Sequence, residues 1–109
     1  HLGGLIAPGP DLAQAALCGG AAQLGAVPAG RIVEIADNTA DAIASGAWLA
    51  AAALVERFCA QTTLRLGVAP ALLLTGGGAP VLSSLLRIAH EIDADLVLRG
   101  LALQAQAGA

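Results

Sequence analysis

Residues 72–79 read LLLTGGGA, and this stretch decides the predicted fold of the chain. The short apolar run indicates a buried strand, and three glycines then lead directly into a helix that begins near Pro80. Glycines let a ligand approach the backbone closely, and the N-terminus of a helix attracts anions. This arrangement suits a nucleotide. The candidate nucleotide-binding residues are Thr75, Gly76, Gly77 and Gly78.

A plain structural connection is the alternative interpretation of the same stretch, because glycine-rich turns also join strands to helices where no ligand binds. The P-loop pattern is excluded, since no Gly-Lys-Ser/Thr sequence follows the glycines. The dinucleotide-binding fingerprint is not matched either. Asp93 and Asp95 lie at about the expected distance, but they precede the next predicted strand instead of following it.

Residues 36–46 read ADNTADAIASG and predict the beginning of the longest helix. Asn38 can cap this helix, and Asp41 follows three residues later, close to the spacing of a capping box. Gly67 can end it, so the predicted helix covers residues 39–66. Apolar and small residues recur at helical spacing on two sides, which predicts that both faces are buried.

Thr39 has two interpretations at this helix start. In the first it belongs, with Asp37 and Asn38, to ordinary capping chemistry, and Gly46 marks a close contact between helices. In the second its hydroxyl contacts a substrate held above the helix N-terminus. The residues alone favour the first interpretation, and the second makes Thr39 a candidate substrate-binding residue.

The remaining elements complete an α/β pattern with parallel strands. We predict strands at residues 2–7, 31–35, 71–74 and 96–98, and shorter helices at residues 11–20, 79–90 and 101–106. Asp11 is predicted to cap the first of these helices, and residues 21–24 extend it or form a loose turn. His90 is predicted near the end of the helix over 79–90, where a cation is favoured.

Composition narrows the class of protein. The chain has 109 residues, enough for one domain, and a net charge of −3. Its five arginines are scattered and lysine is absent, which argues against a nucleic-acid partner. Cys18 and Cys59 are isolated, so we expect neither a zinc site nor a disulfide scaffold.

Hydropathy argues for a cytoplasmic protein. The most apolar run, residues 42–55, is shorter than the roughly 20 residues that a membrane span needs. A basic segment followed by an apolar one, as in a cleavable signal, is not visible at the N-terminus. We therefore expect no membrane partner.

Four motifs together resemble the second domain of type III pantothenate kinases. They are GGLIAPG at 3–9, NTADAIASG at 38–46, LLLTGGGA at 72–79 and LVLRGLA at 96–102. The resemblance covers essentially the whole chain. Transcriptional accessory factors are similar to the same family. The resemblance implies the C-terminal half of an actin-like, ribonuclease H-like α/β fold of the kind found in sugar kinases.

The resemblance also implies a function. Enzymes of this family phosphorylate pantothenate with ATP to give 4'-phosphopantothenate, the first step of coenzyme A biosynthesis. They are homodimers that use Mg²⁺ and a monovalent cation, K⁺ or NH₄⁺. Thr39 matches the family threonine that contacts pantothenate, and Gly76 and Gly77 match the turn beside the nucleotide cleft.

Several family features have no counterpart in this sequence. These are the N-terminal phosphate loop, the GxDR segment with the general base, and the Asp/Thr pair that serves the cation and ATP. We therefore expect residues 1–109 to be a single C-terminal domain that lacks the ATP-phosphate-binding half and the first strands of its own half. No catalytic residue and no metal ligand is assigned, and we expect the chain alone to be inactive.

Two alternatives to a kinase fragment remain open. Residues 21–25, AAQLG, replace a Thr-Ala and Leu-Pro pattern, and Gly78 stands where the family often has a polar residue. These departures allow a non-catalytic regulatory or binding module of the same fold. The small-residue stripe of the long helix allows a domain that associates with itself.

Overall fold

The computed structural model describes residues 1–20 and 29–108 of the chain, in two compact units. One unit comprises His1–Ala53 and the other Leu54–Ala109, so the boundary falls within the longest helix. The elements are α1 (Pro10–Gly20), α2 (Thr39–Leu66), β1 (Leu73–Leu74), α3 (Ala79–Leu85), β2 (Glu91–Ile92) and α4 (Leu96–Gly108).

Helix α1 confirms the predicted first helix and corrects its cap. The helix begins at Pro10, whose fixed φ suits the first helical position. The backbone N–H of Ala13 bonds to the carbonyl of Gly9 at 2.9 Å, so Gly9 occupies the cap position. Asp11 therefore lies inside the first turn, where its charge still favours the helix N-terminus. The predicted extension over residues 21–24 falls outside the described residues.

Helix α2 has the predicted bounds, Thr39–Leu66, because local signals define both of its ends. Asn38 caps the N-terminus, and the backbone N–H of Ala42 bonds to its carbonyl at 2.9 Å. At the other end Gly67 adopts a positive φ of 77°, which ends the helix in a conformation that glycine tolerates. The N–H of Gly67 bonds back to the carbonyl of Thr63 at 2.8 Å.

Burial along α2 differs from the prediction that both faces are covered. The buried residues of this helix are Asp41, Ala44, Ser45 and Ala52, all in its first half. In the second half Phe58 is 40% exposed and Leu64 is 77% exposed. Since the buried positions are small, this helix contributes little apolar area to the core. Among the described helices, α2 has the length and hydropathy of a membrane span. Core helices of soluble proteins can have the same length and hydropathy.

The unit Leu54–Ala109 contains a small parallel sheet of two strands. Strand β1 pairs with β2 in the register Leu73 to Glu91 and Leu74 to Ile92. Flanking bonds run from the N–H of Glu91 to Leu72 and from the N–H of Asp93 to Leu74, at 3.0 and 2.8 Å. Helix α3 connects the two strands, as a parallel pair requires.

Residues 2–7 do not form the predicted strand. Leu2 is 69% exposed and Ile6 is fully exposed. A strand is stable only when a neighbour accepts and donates its backbone hydrogen bonds, and the described part of the chain offers none to this segment. The strand predicted at residues 31–35 is also not formed. There the backbone bonds to side chains of α2 instead.

Helix α3 ends at Leu85, before the predicted end at residue 90. Leu86 turns to an extended conformation, with φ −78° and ψ 139°. The carboxylate of Glu56 accepts the next backbone N–H, that of Arg87, at 2.8 Å. His90 therefore lies outside the helix, directly before β2, and the prediction that it sits at a helix C-terminus is wrong.

Residues 96–98 are helical, contrary to the predicted strand. They open α4, which also contains the predicted helix over residues 101–106. The side chain of Asp93 accepts the N–H of Asp95 at 3.1 Å, and the carbonyl of Asp95 accepts the N–H of Arg99 at 2.8 Å. This turn starts a helix, and a three-residue apolar run does not distinguish helix from strand. Arg99 forms an ion pair with Asp93.

Candidate functional site

The N-terminus of α2 holds the predicted substrate-binding residue in the unit His1–Ala53. The side-chain oxygen of Asn38 accepts the backbone N–H of Asp41 at 2.9 Å. Its amide group donates to the carboxylate of Asp41 at 3.0 Å, so two hydrogen bonds join Asn38 and Asp41. Thr39 is the first residue of the helix and is exposed. Its hydroxyl is therefore accessible to a ligand at the helix end.

A short stretch without helix or strand, residues 30–33, runs beside the first turns of α2; we refer to it as the 30–33 segment. The N–H of Arg31 donates to Asp41 at 2.7 Å. One helical turn later the hydroxyl of Ser45 accepts the N–H of Val33 at 2.8 Å and donates to the carbonyl of Arg31 at 3.1 Å. Two side chains four residues apart thus satisfy the backbone of the segment.

Gly30 brings the backbone of the 30–33 segment directly against that of α2. A Cβ at this position would collide with the backbone carbonyl of Ala40. Only glycine allows such an approach without displacing one of the two chains. The contacts at Gly30, Arg31 and Val33 therefore fix the segment in one register along the helix.

Asp41 is the central charged group of this arrangement, and only 6% of it is exposed. Its pKa lies below the ordinary value of 3.8, chiefly because the backbone N–H of Arg31 donates to the carboxylate, with the Asn38 amide as the next cause. The guanidinium of Arg31 lies 3.5 Å away but is largely exposed, so this ion pair contributes little. The carboxylate is therefore held ionised by fixed donors.

The glycine turn of the unit Leu54–Ala109 connects β1 to α3. Gly76 has a φ of 97°, a conformation that other residues rarely adopt, and its carbonyl accepts the N–H of Ala79 at 3.2 Å. Leu74 and Ala79, on either side of the turn, are buried and anchor it. Thr75, Gly76, Gly77 and Gly78 are all exposed.

Space is open above this turn. A Cβ at Gly76 or Gly77 would meet no described atom within 4 Å. Helix α3 has only seven residues, so the macrodipole predicted to attract an anion is short. The turn therefore leaves its backbone accessible to a ligand at Gly76 and Gly77. A separate hollow of about 290 Å³, lined by residues 70–73 and 89–91, does not include the turn.

Within residues 1–20 and 29–108, no three His, Cys, Asp or Glu side chains lie close enough to hold a metal ion. These described residues therefore offer no cluster of three side-chain ligands to Mg²⁺. Cys18 and Cys59 are free, partly buried thiols.

The sequence predicted that Asp41 belongs to the helix cap. It did not predict that Asp41 and Ser45 also bind the 30–33 segment. The available signal was the spacing. Asp41 and Ser45 are polar residues four apart in an otherwise apolar stretch, which places them on one face of α2. The pattern does not say which backbone they bind.

Comparisons with a family model and with curated proteins point to one family. A family model described as type III pantothenate kinase matches residues 1–61. The type III pantothenate kinase of Stenotrophomonas maltophilia (strain K279a) is 49% identical over 102 residues, which cover 94% of this chain and 41% of the relative. That of Xanthomonas euvesicatoria pv. vesicatoria is 47% identical over 109 residues, covering 100% of this chain and 44% of the relative.

A relative with lower sequence identity is also a type III pantothenate kinase. The type III pantothenate kinase of Leptothrix cholodnii is 41% identical over 100 residues, covering 92% of this chain and 38% of the relative. The chain thus spans about two-fifths of the length of the curated relatives that it matches.

Proposed function

Because this chain belongs to the type III pantothenate kinase family, we propose that the protein carrying it phosphorylates pantothenate with ATP. The product is 4'-phosphopantothenate, and the reaction is the first step of coenzyme A biosynthesis. The observation that supports this most strongly is the 49% identity to a named pantothenate kinase over 94% of the chain.

The fold proposed for this chain follows from the same membership. The family implies a sugar-kinase/actin-like fold, and residues 1–109 are proposed as the C-terminal domain of such an enzyme. The parallel β1–α3–β2 unit is compatible with that α/β architecture. No residue of this chain is assigned as the general base or as a phosphate-loop residue.

Thr39 is the proposed pantothenate-binding residue. Its position supports this role, because it is exposed at the N-terminus of a helix whose cap is held by Asn38 and Asp41. A hydroxyl in a fixed place can bond to a hydroxyl, amide or carboxylate of the substrate. Phosphoryl transfer depends mainly on positioning, so a fixed contact to the acceptor substrate affects the rate directly.

Thr75, Gly76, Gly77 and Gly78 are the proposed nucleotide-binding residues. They form an exposed turn whose glycines leave room for a ligand beside the backbone. The turn is flanked by the buried residues Leu74 and Ala79, and its own backbone N–H groups belong to exposed residues. Such groups suit the polar edges and phosphates of a nucleotide.

The remaining proposals follow from the family. The enzyme uses Mg²⁺, which neutralises the charge of the ATP phosphates when bound, together with K⁺ or NH₄⁺. It is a homodimer in the cytoplasm, with no nucleic-acid and no membrane partner.

The test is a kinetic assay of the natural protein that carries this chain, comparing Thr39→Val with Thr39→Ser. Thr39→Val keeps the shape and removes the hydroxyl, so the KM for pantothenate should rise about tenfold, the equivalent of one hydrogen bond. The KM for ATP should not change, and Thr39→Ser should stay near the wild type. An inactive wild-type protein would disprove the proposed activity. An active protein that is insensitive to Thr39→Val would disprove only the role of Thr39.

A further inference from the structure

We propose that Asp41 is a positioning residue for substrate binding, holding the first turn of α2 so that Thr39 faces pantothenate in one orientation. This inference rests on the proposed function, because it assigns Asp41 to the contact that Thr39 would make. The observation behind it is that one nearly buried carboxylate binds both the cap residue Asn38 and the backbone of the 30–33 segment.

Each oxygen of the Asp41 carboxylate has a defined partner. Oδ1 accepts the backbone N–H of Arg31 at 2.7 Å, and Oδ2 accepts the amide of Asn38 at 3.0 Å. The amide of Asn38 also donates to Asp37 at 3.0 Å, so the residues just before Thr39 are connected to it. Asn38, the residue before Thr39, is therefore held by hydrogen bonds to both Asp37 and Asp41.

An ordinary helix cap does not require these additional contacts. Asn38 alone satisfies the backbone N–H of Asp41 at 2.9 Å, as a cap does. The bonds of Asp41 to the 30–33 segment add a second attachment, and Ser45 and Gly30 keep that segment in register. The helix cap is therefore attached to a neighbouring chain segment. A residue that contacts substrate has to be held in place by its surroundings in this way.

The experiment is a double-mutant cycle in the natural protein, with Asn38→Asp, Asp41→Asn and the double variant. Asp41→Asn brings two amide groups face to face, and Asn38→Asp brings two carboxylates face to face. The double variant restores one donor and one acceptor between positions 38 and 41 in the reverse order and leaves an oxygen for the N–H of Arg31. It gives up the exposed bond from Asn38 to Asp37, which Asn38→Asp gives up as well. Steady-state KM values for pantothenate and ATP are measured together with thermal unfolding by circular dichroism.

We expect each single variant to raise the KM for pantothenate about threefold to tenfold, because a residue that acts through Thr39 loses at most what removal of the Thr39 hydroxyl loses. The KM for ATP should change less than about twofold in the same variants, and the double variant should recover most of the loss. Ser45→Ala, a milder change one turn along α2, should raise the same KM less.

Other outcomes would overturn the proposal. If the single variants lower the melting temperature while both KM values stay unchanged, Asp41 is a structural residue only. Equal rises of both KM values would exclude a specific effect on pantothenate. If Asp41→Asn does not fold, an unchanged KM in Ser45→Ala would overturn the proposal. An inactive wild-type protein would instead disprove the proposed function, and this inference with it.

Discussion

The hydroxyl of Ser83 and Nε2 of His90 lie 2.6 Å apart and join helix α3 to the residue that precedes β2. The other ring nitrogen of His90 lies 2.7 Å from the carbonyl of Ile88. Because a carbonyl only accepts, Nδ1 carries the hydrogen of this bond, and Nε2 is left to pair with the Ser83 hydroxyl. The imidazole thus fixes the return of the chain from α3 to the sheet.

Ser83→Ala should therefore destabilise the protein. Removing the hydroxyl leaves Nε2 of His90 without its partner in a partly buried place, at a cost of about 1 kcal/mol in the free energy of unfolding. Urea denaturation measures this difference. Ser84→Ala is the matched control, since the Ser84 hydroxyl is exposed and bonds to the nearby carbonyl of Val81. Equal losses in the two variants would show that the bond to His90 contributes nothing.

The stability of the protein should depend on Asp41 in the acid range. The folded pKa of Asp41 lies below the ordinary 3.8, mainly because the N–H of Arg31 donates to it. The unfolded chain therefore takes up the proton first, so the stabilisation is complete above about pH 5 and is lost as pH falls through the lowered folded value. The stability difference between wild type and Asp41→Asn should shrink over this window.

Urea denaturation at several pH values checks this dependence, with Glu34→Gln as the control for removing an exposed carboxyl from the same unit. A difference between wild type and Asp41→Asn that stays constant from about pH 6 to pH 2 would contradict the lowered pKa.

Gly30 and Gly46 should respond in opposite ways to replacement by alanine. A methyl group at Gly30 collides with the backbone of Ala40, so Gly30→Ala should cost about 2–3 kcal/mol. At Gly46 a Cβ meets no described atom within 4 Å, and the site is exposed inside α2. Gly46→Ala should therefore stabilise the protein by about 0.5–1 kcal/mol through helix propensity. Thermal unfolding measures both, and stabilisation by Gly30→Ala would contradict the close approach.

Gly76→Ala should affect nucleotide binding as well as stability. Alanine is strained at a φ of 97°, so the turn should distort at a cost of about 1–2 kcal/mol. If Thr75–Gly78 contacts the nucleotide, the KM for ATP should rise about fivefold or more. Gly67→Ala is the control, because Gly67 also has a positive φ, of 77°, but only ends α2. An unchanged KM for ATP in Gly76→Ala would remove the turn from the nucleotide site.

Elements whose ends depend on neighbouring residues could be predicted from the sequence. Helix α2 has its bounds because Asn38 and Gly67 act on the adjacent turn of backbone. Helix α1 and the glycine turn were predicted for the same reason, since proline and glycine restrict or permit backbone angles locally.

Elements that depend on a distant partner could not be predicted. Strand β2 consists of two residues that exist as a strand only because they pair with β1. The helix over residues 96–98 is a different case, because the turn at Asp93 that starts it is local and was not recognised in the sequence. In the candidate site, the position of Thr39 and the cap followed from the sequence. The attachment of Asp41 to the 30–33 segment did not, because it depends on how the chain folds back on itself.

The bonds between the 30–33 segment and α2 also bear on the order of folding. They join residues separated by 10 to 14 positions, so only a short loop has to close before they form. Loops of that size close within about 10–100 ns, far faster than most domains fold. We therefore expect the chain search to add no delay to the assembly of this corner, which forms as soon as the first turns of α2 are stable.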